Sequence, residues 1–213
     1  MSTALPQGIL AVIRAPDREQ AATIGEGLAL AGVEAVEITL TVPGAIEVIE
    51  RLAEKSVCAV GAGTVRTATD AELAIRAGAR FLVAPDVNLG VLDVAHAHGV
   101  PYVPGALTPS EVGRCLDHGV TAIKVFPVGA LGGSRYLTTL SEPFPHAQWV
   151  VSGGISIDQV DEYLDVGARI VCLGGALIDR PAAARGDLDA VVDHARTVLS
   201  QLGQGGRAVD QRT

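Results

Sequence analysis

The 213-residue chain lacks the features that mark membrane, secreted and nucleic-acid-binding proteins. No apolar run approaches the ~18 to 20 residues needed to span a bilayer, and the first residues lack the basic start and long apolar run of a signal peptide. The net charge is −8 at pH 7 and no basic cluster stands out, which argues against nucleic acid or an anionic membrane surface as a partner. We therefore expect a soluble cytoplasmic protein, for which an anionic small molecule is still an acceptable ligand.

Disulfide and metal signals are also missing. The three cysteines are widely spaced and form no CxxC pair, which is typical of a protein from a reducing compartment. His96 and His98 are two positions apart in a predicted helix, so they do not share a face and make a poor metal pair. The sequence predicts no metal site and no cofactor.

The composition is that of one globular domain, with 48% hydrophobic and 19% charged residues. We assign residues 1–202 to this domain. The last residues, 203–213, read GQGGRAVDQRT and are polar and glycine-rich, so we interpret them as a disordered tail.

One local pattern recurs along the domain: a helix-like stretch, a glycine, and then a short apolar run. Such a glycine suits the left-handed residue that ends a helix before the next strand begins. The spacing gives a unit of about 20 to 24 residues, which is the length of one strand plus one helix. The recurring glycines are Gly32, Gly78, Gly99, Gly119 and Gly167.

Filling in the units predicts eight strands alternating with eight helices. The strands are predicted over 9–15, 33–40, 57–65, 80–86, 101–107, 121–127, 148–154 and 169–175. The helices are predicted over 17–31, 44–54, 69–77, 88–98, 109–117, 132–140, 158–166 and 186–201. Nearly continuous apolar strands indicate a parallel sheet covered by helices, and eight units favour an α/β fold of the compact (β/α)8 TIM-barrel type. The rival is an open doubly wound sheet, but no GxGxxG follows the first strand, where that fold often binds a dinucleotide.

Lysine is scarce, since Lys55 and Lys124 stand against fourteen arginines. Lys55 lies at a predicted helix end beside Glu54, whereas Lys124 interrupts an apolar strand, where a charged amine is costly unless it is paired or neutralised. Alternation along the predicted strands 33–40 and 121–127 turns both Glu37 and Lys124 towards the lumen.

Two interpretations fit this pair of charges. The first is a buried structural ion pair between Lys124 and Glu37. The second is a lysine that attacks a carbonyl, with a carboxylate that moves protons nearby. Active sites of barrels lie at the C-terminal strand ends, so we favour the catalytic interpretation.

Further groups at predicted strand ends suit an anionic ligand. Arg14 ends the first strand and could hold a carboxylate or phosphate through paired hydrogen bonds, although it could equally be a surface arginine that begins a loop. The pairs Gly153–Gly154 and Gly174–Gly175 close the last two strands, where barrels commonly bind phosphate. Glycine pairs are also common in turns, so they are weak evidence alone.

Together these residues carry a resemblance to a known family. From about residue 8 to 200 the chain is similar to the class I aldolases that act on 2-keto-3-deoxy-6-phosphogluconate (KDPG) and 4-hydroxy-2-oxoglutarate (KHG). The matching segments are AVIRA at 11–15, VEITLTVPGA at 36–45, VGAGTV at 60–65, VAPD at 83–86, YVPGALTPSE at 102–111, IKVFP at 123–127 and SGGIS at 152–156.

The resemblance implies a role for each matching residue. Lys124 corresponds to the Schiff-base lysine and Glu37 to the general acid/base. Arg14 and Thr64 correspond to groups around the pyruvate carboxylate and the nearby end of the substrate. The walls of the pyruvate pocket and the distal phosphate region correspond to Pro85, Phe126, Ser152, Gly153, Gly154, Gly174 and Gly175.

The resemblance also implies an activity and an assembly. The expected reaction is the reversible cleavage of KDPG to pyruvate and glyceraldehyde 3-phosphate, and also of KHG to pyruvate and glyoxylate, in a homotrimer. The alternatives are a 2-keto-3-deoxy-6-phosphogalactonate aldolase, a barrel sugar-phosphate isomerase or epimerase, and a non-catalytic sugar-phosphate sensor.

The chain departs from the family pattern at three positions. Thr41 stands where some members have an arginine that helps to hold the carboxylate. Ser152 stands where threonine is frequent, and Ala176 where a serine often bonds the phosphate. A lost hydrogen bond to a charged group costs about 1.5–3 kcal/mol, so the distal group of the substrate is open.

Overall fold

The computed structural model describes residues 5–56 and 58–205, in which nine parallel strands form a barrel surrounded by helices. The strands are β1 (Gly8–Ile13), β2 (Ala35–Thr39), β3 (Ala59–Gly63), β4 (Leu82–Val83), β5 (Tyr102–Val103), β6 (Gly105–Ala106), β7 (Ala122–Val125), β8 (Gln148–Val151) and β9 (Ala168–Leu173). The helices are α1 (Arg18–Leu30), α2 (Ala45–Lys55), α3 (Ala68–Arg76), α4 (Leu89–His98), α5 (Pro109–Asp117), α6 (Ser134–Ser141), α7 (Val160–Asp165), α8 (Arg180–Ala184) and α9 (Leu188–Gly205). Short 3₁₀ turns lie at Gly129–Leu131, Ile157–Gln159 and Gly175–Leu177.

The nine strands occupy eight positions around the barrel, because β5 and β6 are two pieces of one strand that is interrupted at Pro104. The order β5-β4-β3-β2-β1-β9-β8-β7-β6 leaves these pieces at the two ends of the sheet, and β5 pairs with β4 while β6 pairs with β7. Proline has no N–H to donate, but its carbonyl accepts a 2.8 Å hydrogen bond from the Lys124 N–H. The segment therefore closes the sheet, and the predicted single-domain (β/α)8 barrel is confirmed.

Polar side chains cap the starts of several helices, and glycines end others as predicted. Asp17, Thr67, Asn88 and Thr108 each accept the backbone N–H three residues further on, which satisfies a donor at the start of a helix. All five glycines of the recurring pattern have positive φ, between 65° and 101°. These glycines end helices in a conformation that other residues rarely adopt, so the unit inferred from them is real.

Among the differences from the predicted elements, three concern β4, α8 and α9. β4 covers only two residues of the predicted 80–86, although Arg80 and Ala84 on either side still donate backbone hydrogen bonds to Val60 of β3 and Val103 of β5. α8 was not predicted, since five residues are too few to show a helical period. α9 continues to Gly205, past the predicted start of the tail at 203, and positions 206–213 lie outside the described residues.

Alternate strand residues divide between two cores. One set packs between the strands and the helices and includes Val36, Ile38, Ile123 and Val125. The other set fills the lumen and consists of Leu10, Ala35, Phe81, Val83, Val103, Ala122, Val150, Ile170 and Cys172. Within the described part of the chain, no helix is both long and apolar enough to cross a membrane.

Candidate active site

Glu37 and Lys124 occupy the lumen, as the strand alternation predicts. Their sequence neighbours on either side belong to the outer core, whereas Ala35 and Ala122, two residues earlier in each strand, belong to the lumen core. Glu37 is 1% exposed and Lys124 is 4% exposed. The barrel therefore brings together two charged groups that lie 87 positions apart in the chain and buries both of them.

The electrostatics of Glu37 are those of a buried carboxyl group beside cations. Burial raises the pKa of Glu37, and the charges of Lys124 and Arg14 oppose that rise. Its Oε2 atom is buried without a hydrogen-bond partner among the described residues. A structural ion pair would satisfy the carboxylate oxygens, so the open oxygen favours the catalytic interpretation of the pair.

The amine of Lys124 lies beside an aromatic ring and a thiol. Its Nζ is 5.2 Å from the centroid of the Phe126 ring. Cys172 lies in the lumen core, where burial raises the pKa of its thiol to about 12; the Glu37 charge adds to the rise, and Lys124 and Ser152 oppose it. Alternation along the last strand places Cys172 on the lumen side of the sheet.

The other residues predicted for the pyruvate end follow neighbouring strands. Arg14 comes directly after β1, and its charge acts on Glu37. Thr64 comes directly after β3 with a left-handed φ of 59°, and Pro85 follows β4. Phe126 directly follows β7, so these residues surround the end of the lumen where Lys124 lies.

Thr41, which stands where some relatives have an arginine, is held by a neighbour. Its hydroxyl is 3.0 Å from that of Thr39, which is fully buried and donates to the Ile13 carbonyl at 3.1 Å. The strand ends of β1 and β2 are therefore tied together, and Arg14 is the cation that this edge presents.

The glycine pairs lie on adjacent strands, as predicted. Gly153 and Gly154 follow β8 with φ of 94° and 77°, and Gly174 and Gly175 follow β9, which pairs with β8. Ser152, at the start of the first loop, is 8% exposed.

Both loops are fixed by hydrogen bonds. The Gly153 carbonyl accepts a 3.0 Å hydrogen bond from the Gly129 N–H. His194 Nε2 bonds the Ala176 carbonyl at 3.2 Å, which attaches the second loop to α9.

Arg180 is a cation at this edge that sequence reasoning missed. A Cβ placed on Gly175 would lie 4.0 Å from Arg180 Nη2. The residue begins α8, whose start is capped by Asp179. Its sequence signal was only a basic residue five positions after a glycine pair, and the proximity depends on the unpredicted helix.

Metal ligation finds no support in the described part of the chain, where no group of three or more His, Cys, Asp or Glu side chains could hold an ion.

Comparison with known proteins gives the family. Residues 3–194 match the model for KDPG and KHG aldolases. The chain belongs to the KDPG and KHG aldolase family. It is 32% identical over 193 residues to a KHG/KDPG aldolase of Escherichia coli K12, a match that covers 90% of both chains.

Two solved structures share both fold and family. A KDPG aldolase from Legionella pneumophila, with pyruvate captured as a covalent carbinolamine, is 28% identical with a TM-score of 0.82, and the match covers 90% of this chain and 94% of that one. The 2-keto-3-deoxy-6-phosphogluconate aldolase of Zymomonas mobilis ZM4, with 3-phosphoglycerate, is 28% identical with a TM-score of 0.79 and 90% coverage of both chains. The protein is accordingly an aldolase, a carbon–carbon lyase.

Proposed function

We propose that the protein is a Schiff-base aldolase that reversibly cleaves KDPG to pyruvate and glyceraldehyde 3-phosphate, and also cleaves KHG to pyruvate and glyoxylate. The observation that carries this proposal is the buried amine of Lys124 in one lumen with Glu37, whose Oε2 atom has no partner among the described residues.

Lys124 supplies the nucleophile. The neutral amine attacks C2 of the 2-oxo acid, and the resulting carbinolamine loses water to give an iminium ion. The C3–C4 bond then breaks, its electron pair moves towards the iminium nitrogen, and the aldehyde leaves from an enamine. The covalent carbinolamine in the Legionella relative supports this first step.

Glu37 supplies the proton transfers. Its carboxylate accepts the C4 hydroxyl proton, directly or through water, as the C3–C4 bond breaks. The acid so formed returns a proton to C3 of the enamine, and water then hydrolyses the iminium to release pyruvate and the free amine. Because burial raises the pKa of Glu37, both protonation states are accessible closer to neutral pH than for an exposed glutamate.

The substrate carboxylate is held at the edge formed by β1 and β3. Arg14 offers a guanidinium with paired donors, and Thr64 offers a hydroxyl and a backbone in a left-handed turn. Pro85 and Phe126 form the walls of the pocket, and this arrangement places C2 near the Lys124 amine.

The distal phosphate is held at the edge formed by β8 and β9. Ser152 offers its hydroxyl, and the two glycine pairs let the backbone approach the anion closely. Arg180 adds a cation beside Gly175 and offsets the hydroxyl that Ala176 lacks. The phosphorylated ligand in the Zymomonas relative supports this part of the site. The contributing glycines are Gly153, Gly154, Gly174 and Gly175.

We also propose that the enzyme acts in the cytoplasm as a homotrimer. Three free cysteines support the location, and family resemblance supports the assembly. Size-exclusion chromatography with light scattering should give a mass of about three chains.

A panel of aldol substrates tests the proposed function. We expect pyruvate release to be fastest from KDPG, slower from KHG, and slowest from the galactonate epimer, as measured with a coupled lactate dehydrogenase assay. Isomerisation or epimerisation of a sugar phosphate without release of pyruvate from any 2-oxo acid would reject the proposal.

A further inference from the structure

β3 presents almost no side-chain volume to the lumen. Its residues pair in register with β2, with Glu37 opposite Gly61 and Thr39 opposite Gly63. Since side chains of parallel neighbours in register share a face, Gly61 and Gly63 lie on the lumen side. Two glycines weaken a strand and give it no side chain to pack, so their presence on one face indicates that something else occupies the space.

The space at Gly63 is filled by the carboxyl group of Glu37. A Cβ placed on Gly63 would lie 1.8 Å from Glu37 Oε1, 2.4 Å from Cδ and 2.5 Å from Cγ. All three distances are far below van der Waals contact. The conflict extends over half of the glutamate side chain, so a small rotation of the carboxylate alone cannot relieve it.

Neighbouring groups limit where else the carboxyl group could go. The space above Gly61 is taken by the Phe81 ring, whose nearest atom would be 2.1 Å from a Cβ on that glycine. On the other side of Glu37 along β2, the Thr39 hydroxyl is held by Ile13 and Thr41. Glu37 therefore rests in a recess that only a glycine at position 63 leaves open.

We infer that Gly63 is a positioning residue, whose missing side chain fixes the place of the Glu37 carboxyl group opposite Lys124. The inference rests on the proposed role of Glu37 in proton transfer. Gly63 is absent from the residues with positive φ, so its backbone conformation is open to alanine and the requirement for glycine is one of space. The expected cost of filling the recess is a misplaced acid/base, with the amine unaffected.

The first test separates proton transfer from Schiff-base formation in Gly63→Ala. We expect exchange of the pyruvate methyl protons with deuterated water, followed by NMR, to slow about 100-fold, because it requires Glu37 at C3. Trapping of pyruvate on Lys124 by borohydride after full equilibration should still label the whole sample. A parallel loss of exchange and trapping would overturn the inference, since it would mean general damage to the site.

The second test uses stability and needs no activity. With Glu37 present, Gly63→Ala should lower Tm by about 4 °C or more, and in a Glu37→Ala background by less than about 2 °C. Equal shifts in the two backgrounds would overturn the inference. If Gly63→Ala does not fold at all, the double variant Gly63→Ala/Glu37→Ala should fold, and its failure to do so would be the contrary result.

Gly113→Ala is the matched control. This glycine lies in α5, a Cβ there would meet nothing within 4 Å, and we expect neither the exchange rate nor trapping to change. Failure of the proposed function gives a different pattern: the wild-type protein would trap no pyruvate, or Glu37→Gln would retain full methyl exchange.

Discussion

The two halves of the barrel lumen hold different kinds of side chain, although the same strands supply both. In β2 and β7 the lumen face carries an apolar residue at the start of the strand, Ala35 and Ala122 respectively. Two residues later the same face carries Glu37 in β2 and Lys124 in β7. The change from apolar to ionisable side chains therefore takes place within a single strand and on a single face.

This difference explains how the fold tolerates a buried amine and a buried carboxyl group. Burying a charged group costs free energy, whereas each large apolar side chain removed from water contributes about 1.5–3 kcal/mol. The apolar half and the core between strands and helices stabilise the frame, and the polar half uses that rigidity to hold its groups in place. Substitutions in the two halves should accordingly affect different properties.

The largest effect is expected for Lys124→Ala. Loss of the proposed nucleophile should lower kcat for pyruvate release by about 10³-fold or more. The far-UV circular dichroism spectrum and Tm should be maintained, since an uncharged side chain relieves a burial cost. Lys55→Ala is the matched control, because Lys55 Nζ lies 2.7 Å from Glu26 Oε1 on the surface. Comparable activity in the two variants would contradict the assignment.

Ile170→Ala, in the apolar half of the lumen, should lower stability and leave activity nearly unchanged. Truncating this 1%-exposed side chain should lower the free energy of unfolding by about 2–5 kcal/mol in urea titrations. At a temperature where the variant is folded, kcat should stay within about threefold of wild type. Leu30→Ala, at a 52%-exposed position, should change stability by less than about 0.5 kcal/mol. A loss of kcat without a loss of stability would contradict the view that the apolar half supports stability and the polar half supports activity.

Arg180→Met tests whether this arginine contributes to the proposed binding of the distal phosphate. Removing the guanidinium beside Gly175 should lower kcat/KM for KDPG by about tenfold or more and leave kcat/KM for KHG within about twofold. Arg185→Met is the control, since Arg185 pairs instead with Asp187 at 3.7 Å. Equal losses of kcat/KM on KDPG and KHG would show that Arg180 does not bind the phosphate.

The smallest effect is expected for Glu37→Gln and concerns how its free energy of unfolding depends on pH. Burial raises the pKa of Glu37 above its ordinary value of 4.5, so the unfolded chain loses this proton first as the pH rises. The wild-type free energy of unfolding therefore falls between pH 4.5 and the raised pKa. Glutamine carries no charge, so the variant should be more stable than wild type at pH 7, and the gain should vanish towards pH 4 in urea titrations. A gain that grows at low pH would have the wrong sign.

Sequence reasoning reached Glu37 and Lys124 because alternation along two strands is a local property. It also placed the glycine pairs, because the strand order of a barrel brings its last two strands together. The position of Arg180 was not predicted, because it depends on α8, and a five-residue helix is too short to show a helical period. The recess at Gly63 was not predicted either, because it depends on how the Glu37 side chain of β2 packs against Gly63 of β3.

The interruption at Pro104 illustrates the same limit. The predicted strand 101–107 is present as β5 and β6, but only the pairing partners on each side show where it breaks. Local patterns thus predicted the elements, and contacts between elements determined the details of the site.

Borohydride trapping with pyruvate determines whether Lys124 forms the Schiff base. The protein is incubated with pyruvate, reduced, digested and examined by mass spectrometry. We predict a stable adduct on the peptide that contains Lys124 and none on the peptide that contains Lys55. An absence of any mass increase, or an adduct on Lys55 alone, would contradict the assignment of Lys124 as the Schiff-base residue.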